Sequence, residues 1–191
     1  MNKYYKKIPF KFNRQQLIDI ASVYLDDAPE GYVDHAGNVV QYGSGVFHKR
    51  NEQYPDAVPP TSLYFRDLPE DFRYLKIFKD CCKLFANTKT TKKHHDLDSL
   101  YNYAQFFKIT GPLLPHIDRR TAAFTIPLYG VSHPVYWFDK DGTTVLEKYM
   151  YDGPTLINTS INHGCLENIG ERVFFQIGGF AEPFDELVES I

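Results

Sequence analysis

The sequence predicts a mainly β protein with flanking helices (α+β), built on an antiparallel sandwich or barrel. From about Asp98 onward, seven or eight short runs rich in Tyr, Phe, Ile, Val and Thr are separated by turn signals such as Asp139–Gly142 and Asp152–Pro154. Aromatic residues make up 16% of the chain, which favours a sheet-rich core over a helical bundle. The length of 191 residues favours a single domain over 1–191, with its barrel core at 98–180.

The sequence of the front half, residues 1–97, predicts a helix and a hairpin that pack on the C-terminal barrel. Asn13 can cap a helix that runs to about Asp27, because the apolar residues that follow recur at helical spacing. These residues are Leu17, Ile20, Ala21, Tyr24 and Leu25. The stretch from Tyr32 to Phe47 alternates and turns at His35–Asn38, which predicts the hairpin.

A long polar loop and a second helix complete the front half. The Pro-rich residues Lys49–Pro60 predict a surface loop, and loops of this length are often functional. We expect this loop, together with the hairpin, to border the mouth of a pocket in the barrel. From Asp71 to Phe85, apolar residues recur at helical spacing and predict one amphipathic helix. Cys82 falls on its apolar stripe, so we expect this cysteine to be buried rather than redox-active.

The charge balance argues against a nucleic acid as the main partner. Lys and Arg number 21 against 24 Asp and Glu, a net charge of -3, so the chain lacks the basic excess typical of polyanion binding. No apolar run approaches the ~18–20 residues of a membrane span, and the basic N-terminus lacks the apolar stretch of a secretory signal. Three cysteines, an odd count, favour a reducing, cytoplasmic location.

The most informative motif is Gly111–Asp118, because it places a histidine and a carboxylate two residues apart. On a strand, His116 and Asp118 point to the same face. One imidazole and one carboxylate on one face are two thirds of the 2-His-1-carboxylate triad that binds non-haem Fe(II). With seven histidines and 24 acidic residues, about one such pair arises by chance. A second pair, His94 and Asp96, lies in a polar stretch, which favours a solvated connector.

His163 is the candidate for the third ligand, since His133 precedes a proline and is expected at a loop edge. The apolar run Glu171–Ile177, with an arginine near its start, follows His163, and an even-length turn between them pairs His163 with Phe174 in a hairpin. Arg172 then faces the same interior as His163. Taken singly, His163 could be a hydrogen-bonded core histidine, and Arg172 could pair with an internal Asp or Glu or lie exposed.

In this order and spacing, the four residues His116, Asp118, His163 and Arg172 resemble the motif of the 2-oxoglutarate/Fe(II)-dependent dioxygenase superfamily. The segment from residue 155 to 164, followed by the arginine, is most similar to the aspartyl/asparaginyl β-hydroxylase-like branch. The resemblance covers about residues 98 to 179. Many members carry Ser or Thr two residues after the arginine, where this chain has Phe174. The aspartyl hydroxylase itself has no Asp at the second metal position, where this chain has Asp118.

The resemblance implies a double-stranded β-helix, which is a jelly-roll or cupin-like fold, with Fe(II) bound by His116, Asp118 and His163. The co-substrate 2-oxoglutarate would chelate the iron and reach Arg172 with its far carboxylate. The implied reaction is hydroxylation of an amino-acid side chain, either in a small molecule or in a peptide or protein. Neither a nucleic acid nor a membrane is expected as a partner.

Four further residues are weaker candidates for the site. Tyr103 and Gln105 share one face of the strand before the motif and are candidates for contact with the co-substrate. Asn158 is a candidate for the hydrogen bond that orients a ligating histidine. Arg120 lies two residues after Asp118, so on a continuing strand it would point to the same face as His116 and Asp118. There it either binds an acidic substrate or forms an ion pair at the rim of the site.

Two other functions stay open at this point. One is a cupin-like metalloenzyme that uses the same ligands without 2-oxoglutarate. The other is a non-catalytic β-barrel binding module whose His/Asp/His set is structural. Arg172 distinguishes them, because only the dioxygenase needs this cation in the pocket. The sequence predicts neither the substrate nor the oligomeric state.

Overall fold

A computed structural model describes residues 2–26, 31–33, 39–40, 62–67, 70–94, 100–101, 103–110, 113–118, 120–132, 134–166 and 170–191. Within these residues the chain forms twelve strands, four α-helices and one 3-10 helix. The strands are β1 (Tyr5–Lys7), β2 (Gly31–Val33), β3 (Val39–Val40), β4 (Ser62–Asp67), β5 (Ala104–Thr110), β6 (Leu113–His116), β7 (Ala122–Gly130), β8 (Pro134–Phe138), β9 (Val145–Met150), β10 (Thr155–Asn158), β11 (His163–Cys165) and β12 (Arg172–Ile177). The helices are α1 (Arg14–Asp26), the 3-10 helix (Glu70–Tyr74), α2 (Lys76–Leu84), α3 (Lys89–His94) and α4 (Phe184–Glu189).

The strands form two sheets. The larger has the order β1-β10-β7-β12-β5-β4-β2-β3, and the smaller has the order β6-β11-β8-β9. Neighbouring strands are antiparallel except β2 and β4, which are parallel. Eight strands follow residue 98, which matches the predicted number. The predicted fold class, mainly β with antiparallel sheets and flanking helices, is confirmed.

The central strands β7 and β10 of the larger sheet are buried on both faces. On one face, the helices build a large apolar core with the sheet, in which Leu17 of α1 and Phe78 of α2 join Phe175 of β12. On the opposite face, Ala123 of β7 packs with Trp137 of β8 in a second cluster. Because this second cluster contains residues of both sheets, the two sheets pack face to face and enclose an interior.

Side chains of β12 alternate between these two faces, as the two-residue period of a strand requires. Val173, Phe175 and Ile177 belong to the core beneath the helices. Arg172 and Phe174 therefore face the smaller sheet. β7 and β10 alternate in the same way, and their inward side chains line the inner face of the larger sheet.

The predicted first helix and its cap are confirmed by α1. The side chain of Asn13 accepts a hydrogen bond from the backbone N–H of Gln16 at 3.2 Å, which is the contact expected of an N-cap. Leu17, Ala21 and Leu25 of the predicted stripe are buried. The stripe packs on the larger sheet, so α1 covers the face opposite the smaller sheet.

The predicted single helix over Asp71–Phe85 is wrong. The 3-10 helix and α2 are separated by Leu75, whose backbone is extended (φ -67°, ψ 143°). We attribute the break to packing, because the separate 3-10 helix lays the ring of Phe72 edge-on to Phe106 of the larger sheet, 5.8 Å away. The stripe itself is buried as predicted, and Cys82 lies within the core.

The pairing of the predicted Tyr32–Phe47 hairpin is confirmed where the chain is described. β2 and β3 are antiparallel, with Tyr32 opposite Val40. The predicted turn and residues 41–47 lie outside the described residues, as does the loop Lys49–Pro60.

The front half also contributes strands that the sequence did not predict. β1 pairs with β10 and β4 pairs with β5, so both extend the larger sheet. The run Tyr5–Lys7 is short and basic, and no alternation marks it as a strand. These residues form a strand because they pair with β10.

The three cysteines, Cys81, Cys82 and Cys165, are buried and not in disulfides. Burial raises the pKa of the Cys81 thiol well above its usual value, which keeps this group protonated. Among the residues described, none of the helices combines the length and the apolar character required to cross a bilayer.

A buried carboxylate, Glu182, ties α3 to the segment that follows β12. Its oxygens accept hydrogen bonds from the backbone N–H of Lys89 at 2.7 Å and from the hydroxyl of Thr90 at 2.6 Å. A third comes from the backbone N–H of Ala181 at 3.1 Å. Burial raises the pKa of Glu182, but the hydrogen bonds together outweigh burial and leave this pKa below its ordinary value. The folded state therefore favours the ionised form.

Replacing Glu182 by Gln should lower the free energy of unfolding by about 1–3 kcal/mol at pH 7, because a charged acceptor of several hydrogen bonds is lost. A carboxyl whose pKa is depressed on folding contributes stability that is present above its unfolded pKa and is lost as the pH falls through the folded pKa. The difference between wild type and variant should therefore shrink below about pH 4, as urea unfolding at several pH values would measure.

Glu186→Gln is the control for this prediction. Glu186 forms an exposed ion pair with Lys89, and solvent screens such a pair so strongly that its loss should change stability little. A Glu182→Gln difference that stays constant from pH 7 to pH 3 would contradict the role of the charge.

Candidate functional site

Three residues with metal-binding side chains meet at one end of the paired sheets. His116 is the last residue of β6 and lies opposite His163, the first residue of β11, in the smaller sheet. Asp118 follows two residues after β6. One ligand atom from each of the three lies within 4.8 Å of the others. The residues predicted as a triad are thus brought together from two distant parts of the chain.

Asp118 does not reach this cluster along a strand, and the prediction of a common strand face is wrong. β6 ends at His116, and Asp118 lies in the connection to β7. The backbone N–H of Asp118 donates to the carbonyl of Thr159 at 3.1 Å. This hydrogen bond holds the connection so that a carboxylate oxygen of Asp118 lies 3.4 Å from Nε2 of His116.

Thr159 fixes the connection that carries Asp118. This threonine is buried and directly follows β10. Besides accepting from Asp118, it donates its backbone N–H to the carbonyl of Thr121 at 3.2 Å and its hydroxyl to the carbonyl of Arg120 at 2.8 Å. The position of the carboxylate therefore depends on the larger sheet as much as on β6.

The ring of His163 is fixed by the carbonyl of Ile161, which lies 2.9 Å from Nδ1. Since a carbonyl can only accept, Nδ1 carries the proton and Nε2 keeps a lone pair for a metal. The sequence assigned this orienting role to Asn158, which is wrong. The side chain of Asn158 donates to the carbonyl of Lys3 and accepts from the hydroxyl of Ser160. Asn158 belongs to the larger sheet and His163 to the smaller, so the two lie in different layers.

The chemistry of the cluster suits a divalent transition metal. Two imidazoles and one carboxylate are the set that binds Fe(II) and leaves coordination positions open. Ligand atoms that share a metal at about 2.1 Å each lie about 3 Å apart at a right angle. The 3.4 Å between His116 and Asp118 is close to that value, and the rings of His116 and His163 lie 4.4 Å apart.

The cluster opens to solvent on one side. His163 is 5% exposed to solvent, whereas the side chains of His116 and Asp118 are 15% and 36% exposed. A substrate can therefore approach from the side of the β6–β7 connection, while the His163 side is closed by the smaller sheet.

β11 and β12 do not form the predicted hairpin. β11 pairs with β6 and β8 in the smaller sheet, whereas β12 pairs with β5 and β7 in the larger one. Phe174 accordingly lies opposite Phe107 and Pro127, not opposite His163. The prediction failed because the chain crosses between sheets at this connection, and counting residues across a turn cannot detect such a crossing.

Arg172 nevertheless faces the space between the sheets. It is 1% exposed, and all three of its guanidinium nitrogens are buried. Burial raises the pKa of the Tyr151 phenol well above its usual value, and the nearby guanidinium of Arg172 opposes this increase. Tyr151 packs on the cluster that joins the two sheets, so its proximity places the cation in the enclosed interior.

Tyr103 and Gln105, the candidates for co-substrate contact, occupy different positions. The ring of Tyr103 covers Gly179, where an added Cβ would lie 2.4 Å from it. Gln105 lies on the inward face of β5 and donates to the side-chain oxygen of Gln176 at 3.4 Å. Only Gln105 therefore lies on the wall that carries Arg172.

Arg120 belongs to the connection that carries Asp118. Arg120 does not share the strand face with His116 that the sequence predicted, because β6 ends at His116. The Arg120 side chain covers Gly178, where an added Cβ would lie 2.3 Å from a guanidinium nitrogen. This packing is that of a rim residue beside the cluster.

Two residues of the site were not predicted, Thr159 and Tyr151. Thr159 lies in the segment that precedes His163, and only its hydrogen bonds to another connection reveal its role. Tyr151 directly precedes the turn Asp152–Pro154, which gives it the sequence context of a loop residue.

No family model matches this chain, and no curated protein matches it. A prolyl hydroxylase from Trichoplax adhaerens, in complex with a peptide fragment of the hypoxia inducible factor oxygen degradation domain, resembles it with a TM-score of 0.46 at 11% identity, over 93% of this chain and 81% of that one. The E. coli ycfD structure gives a TM-score of 0.44 at 11% identity over 97% of this chain, which spans about half, 51%, of the ycfD chain. A Pseudomonas putida prolyl-4-hydroxylase gives 0.33 at 10% identity, over 70% of this chain and 82% of that one. These likenesses are too low to decide fold or activity, and the β-hydroxylase-like branch stays a prediction.

Replacing His116 by Ala should abolish stoichiometric Fe(II) binding and leave the fold intact, because the apolar cores on both faces of the larger sheet do not depend on a metal. Anaerobic titration with Fe(II) measures the first effect and thermal unfolding the second. His94→Ala is the matched control, since His94 belongs to the other His-x-Asp pair, and it should bind iron like the wild type. Full iron affinity in the His116 variant would remove the triad assignment.

Replacing Thr159 by Val should weaken Fe(II) binding about tenfold, because it removes the hydroxyl that holds the Asp118 connection while keeping the side-chain shape. Thr159→Ser retains the hydroxyl and should restore most of the affinity. The same anaerobic titration measures both variants. Equal iron affinity in the Val and Ser variants would show that the hydroxyl does not position the carboxylate.

Proposed function

We propose that this protein is an Fe(II)- and 2-oxoglutarate-dependent oxygenase that hydroxylates an amino-acid side chain, free or within a peptide or protein. The observation that carries the proposal is the meeting of His116, Asp118 and His163 beside an interior that also contains the buried guanidinium of Arg172. The first three form the donor set of non-haem Fe(II) oxygenases. The fourth has the planar, doubly donating geometry that suits a carboxylate.

We further infer that β5–β12 form a double-stranded β-helix. Each sheet takes four of these eight strands, and the chain changes sheet at every connection except the one between β8 and β9. This alternation supports the inference, because it winds the chain around a closed interior with one sheet on each side. In such an arrangement both histidines lie on the smaller sheet and Arg172 on the opposite wall.

Each residue of the proposed site has a separate role. His116, Asp118 and His163 hold the metal, and Ile161 keeps the proton of His163 on Nδ1, so that the ring coordinates as a neutral imidazole. Arg172 binds the far carboxylate of 2-oxoglutarate. Iron, 2-oxoglutarate and O2 together supply the oxidation that converts a substrate C–H bond into C–OH. The aromatic wall around Trp137 keeps water out of the interior.

Anaerobic titration of the protein with Fe(II) and then with 2-oxoglutarate tests the proposal. A weak visible charge-transfer band that grows with 2-oxoglutarate and saturates at one equivalent is the expected result. Iron binding without this band would favour the cupin-like metalloenzyme that does not use 2-oxoglutarate. Failure to bind iron at all would favour the non-catalytic module.

Replacing Arg172 by Ala should weaken 2-oxoglutarate binding by about 2–5 kcal/mol, the typical effect of removing one partner from a buried, charge-assisted pair. Arg172→Lys keeps the charge but loses the fork, so it should weaken binding less. Iron affinity should change little in both variants, because Arg172 is not a ligand. Titration of the iron-loaded variants with 2-oxoglutarate measures these effects.

Arg14→Ala is the matched control for Arg172. Arg14 donates from Nε and Nη2 to the carbonyl of Leu128, with the helices on the other face of the larger sheet. It should bind 2-oxoglutarate like the wild type. Unchanged affinity in Arg172→Ala would remove the case for 2-oxoglutarate while leaving the metal site in place.

A further inference from the structure

A second arginine lies at the end of the interior that carries the metal-binding cluster. Arg120 belongs to the β6–β7 connection, two residues after Asp118. The hydroxyl of Thr159 donates to the backbone carbonyl of Arg120 at 2.8 Å, and the carbonyl of Thr159 accepts from the backbone N–H of Asp118 at 3.1 Å. One threonine therefore fixes the backbone of a candidate metal ligand and the backbone of this arginine.

The side chain of Arg120 lies on the inward face of the larger sheet. Gly178 directly follows β12, and its backbone N–H donates to the carbonyl of Tyr103 at 2.9 Å, so the strand pairing continues to this glycine. Because Phe174 and Gln176 face the smaller sheet, the alternation turns position 178 inward as well. An added Cβ there would overlap a guanidinium nitrogen of Arg120 and lie 2.8 Å from its Cδ. The arginine therefore fills the space that the glycine leaves.

The inward face next to this guanidinium is open to solvent. Gln176 precedes Gly178 by two residues and shares its face, so it lies beside Arg120. Gln176 is partly exposed, although Phe175 and Ile177 on either side of it are 0% exposed. Since these two neighbours belong to the core beneath the helices, solvent reaches Gln176 from the space between the sheets. Arg120 is itself partly exposed, so a ligand in this space can reach it.

Among the described residues, no carboxylate neutralises this guanidinium. Arg120 forms no ion pair with them, and it hydrogen-bonds to them only through its backbone carbonyl. Asp118, two residues away, is directed to His116 instead. A guanidinium is a permanent cation whose planar fork of donors matches the two oxygens of a carboxylate. Because enclosing a cation without an anionic partner is costly, the site favours a ligand that carries a carboxylate.

The charges of the site assign this carboxylate to the substrate. Under the proposed function, on which this inference rests, the two carboxylates of 2-oxoglutarate balance the metal site and Arg172. A divalent metal held by two neutral histidines and Asp118 carries one net positive charge, and Arg172 adds a second. Arg120 then remains as a third positive charge.

We propose that Arg120 determines substrate specificity by binding a carboxylate of the substrate beside the metal. The carboxylate belongs either to a free amino acid or to an acidic side chain within a peptide, and both sources present the same two oxygens. A neutral substrate lacks the partner of the guanidinium and is rejected.

The test compares compounds that differ only in this carboxylate. One set contains the free L-amino acids and their α-carboxamides. The other contains blocked alanine pentapeptides with a central aspartate or glutamate, and the same peptides with asparagine or glutamine. The full chain is incubated in air with Fe(II), 2-oxoglutarate and each compound, and mass spectrometry measures the gain of one oxygen atom. Oxidation of an acid but not of its carboxamide is the expected result, and the set that contains this acid identifies the source of the carboxylate.

Three variants connect this preference to Arg120. Arg120→Gln should lower kcat/KM for the oxidised acid about 10- to 100-fold, as expected for hydrogen bonds to a charged group. Arg120→Lys keeps the charge without the fork and should lower it less. Gly178→Ala should also lower it, because the added Cβ displaces the guanidinium without removing its charge. All three variants should keep the affinity for Fe(II) and for 2-oxoglutarate, and thermal unfolding checks that they fold.

Arg14→Gln is the matched control, since Arg14 donates to the carbonyl of Leu128 with the helices on the other face of the larger sheet. It should oxidise the acid like the wild type. Equal oxidation of an acid and its carboxamide, or unchanged kcat/KM in Arg120→Gln, overturns the inference and leaves the proposed function standing. The same holds if the wild type binds Fe(II) and 2-oxoglutarate but oxidises no acid of either set. If the wild type does not bind 2-oxoglutarate, the proposed co-substrate fails and the inference fails with it.

Discussion

The register of the larger sheet is the constraint on which the rest of the molecule depends. Its strands place alternate side chains in two different interiors, one beneath the helices and one between the sheets. On β12, a shift of one residue would move Arg172 in among the phenylalanines of the helical core and expose Phe175 to the site. Burying a large apolar side chain beneath the helices, rather than leaving it in water, stabilises the fold by about 1.5–3 kcal/mol. The packing of the helical core therefore decides on which side of the sheet Arg172 lies.

The candidate metal ligands Asp118 and His163 are positioned by a single connection between the sheets. Thr159 accepts from the backbone of Asp118, and Ile161, two residues later, holds the ring of His163. Both contacts come from the short segment that leads from β10 in the larger sheet to β11 in the smaller. One segment thus sets the position of two ligands that lie 45 residues apart in the sequence. Because these hydrogen bonds involve protein groups alone, the ligands are positioned before any metal arrives, which is how outer hydrogen bonds favour metal binding.

Features that depend on neighbours in sequence could be predicted, and features that depend on the choice of sheet could not. The cap of α1 by Asn13 and the burial of Cys82 follow from local spacing, and both are observed. The grouping of His116, Asp118 and His163 could be predicted from their distinctive chemistry, although Asp118 does not lie on the strand that was expected to carry it. The proposed pairing of His163 with Phe174 failed because it assumed that consecutive strands are neighbours. Tyr151 was missed because it is one of fourteen tyrosines, and its local sequence is that of a loop residue.

The charges of the proposed site match the dicarboxylate that we propose as co-substrate. A divalent metal held by two neutral histidines and Asp118 carries one net positive charge, and Arg172 adds a second. Buried charges are costly unless they are neutralised nearby, and the two carboxylates of the proposed co-substrate carry two negative charges that match these two positive ones. Tyr151 preserves this balance only while it is protonated, since a phenolate beside Arg172 would itself neutralise the guanidinium. The burial that raises the pKa of Tyr151 therefore keeps this phenol neutral near the guanidinium, so it adds no charge to the interior.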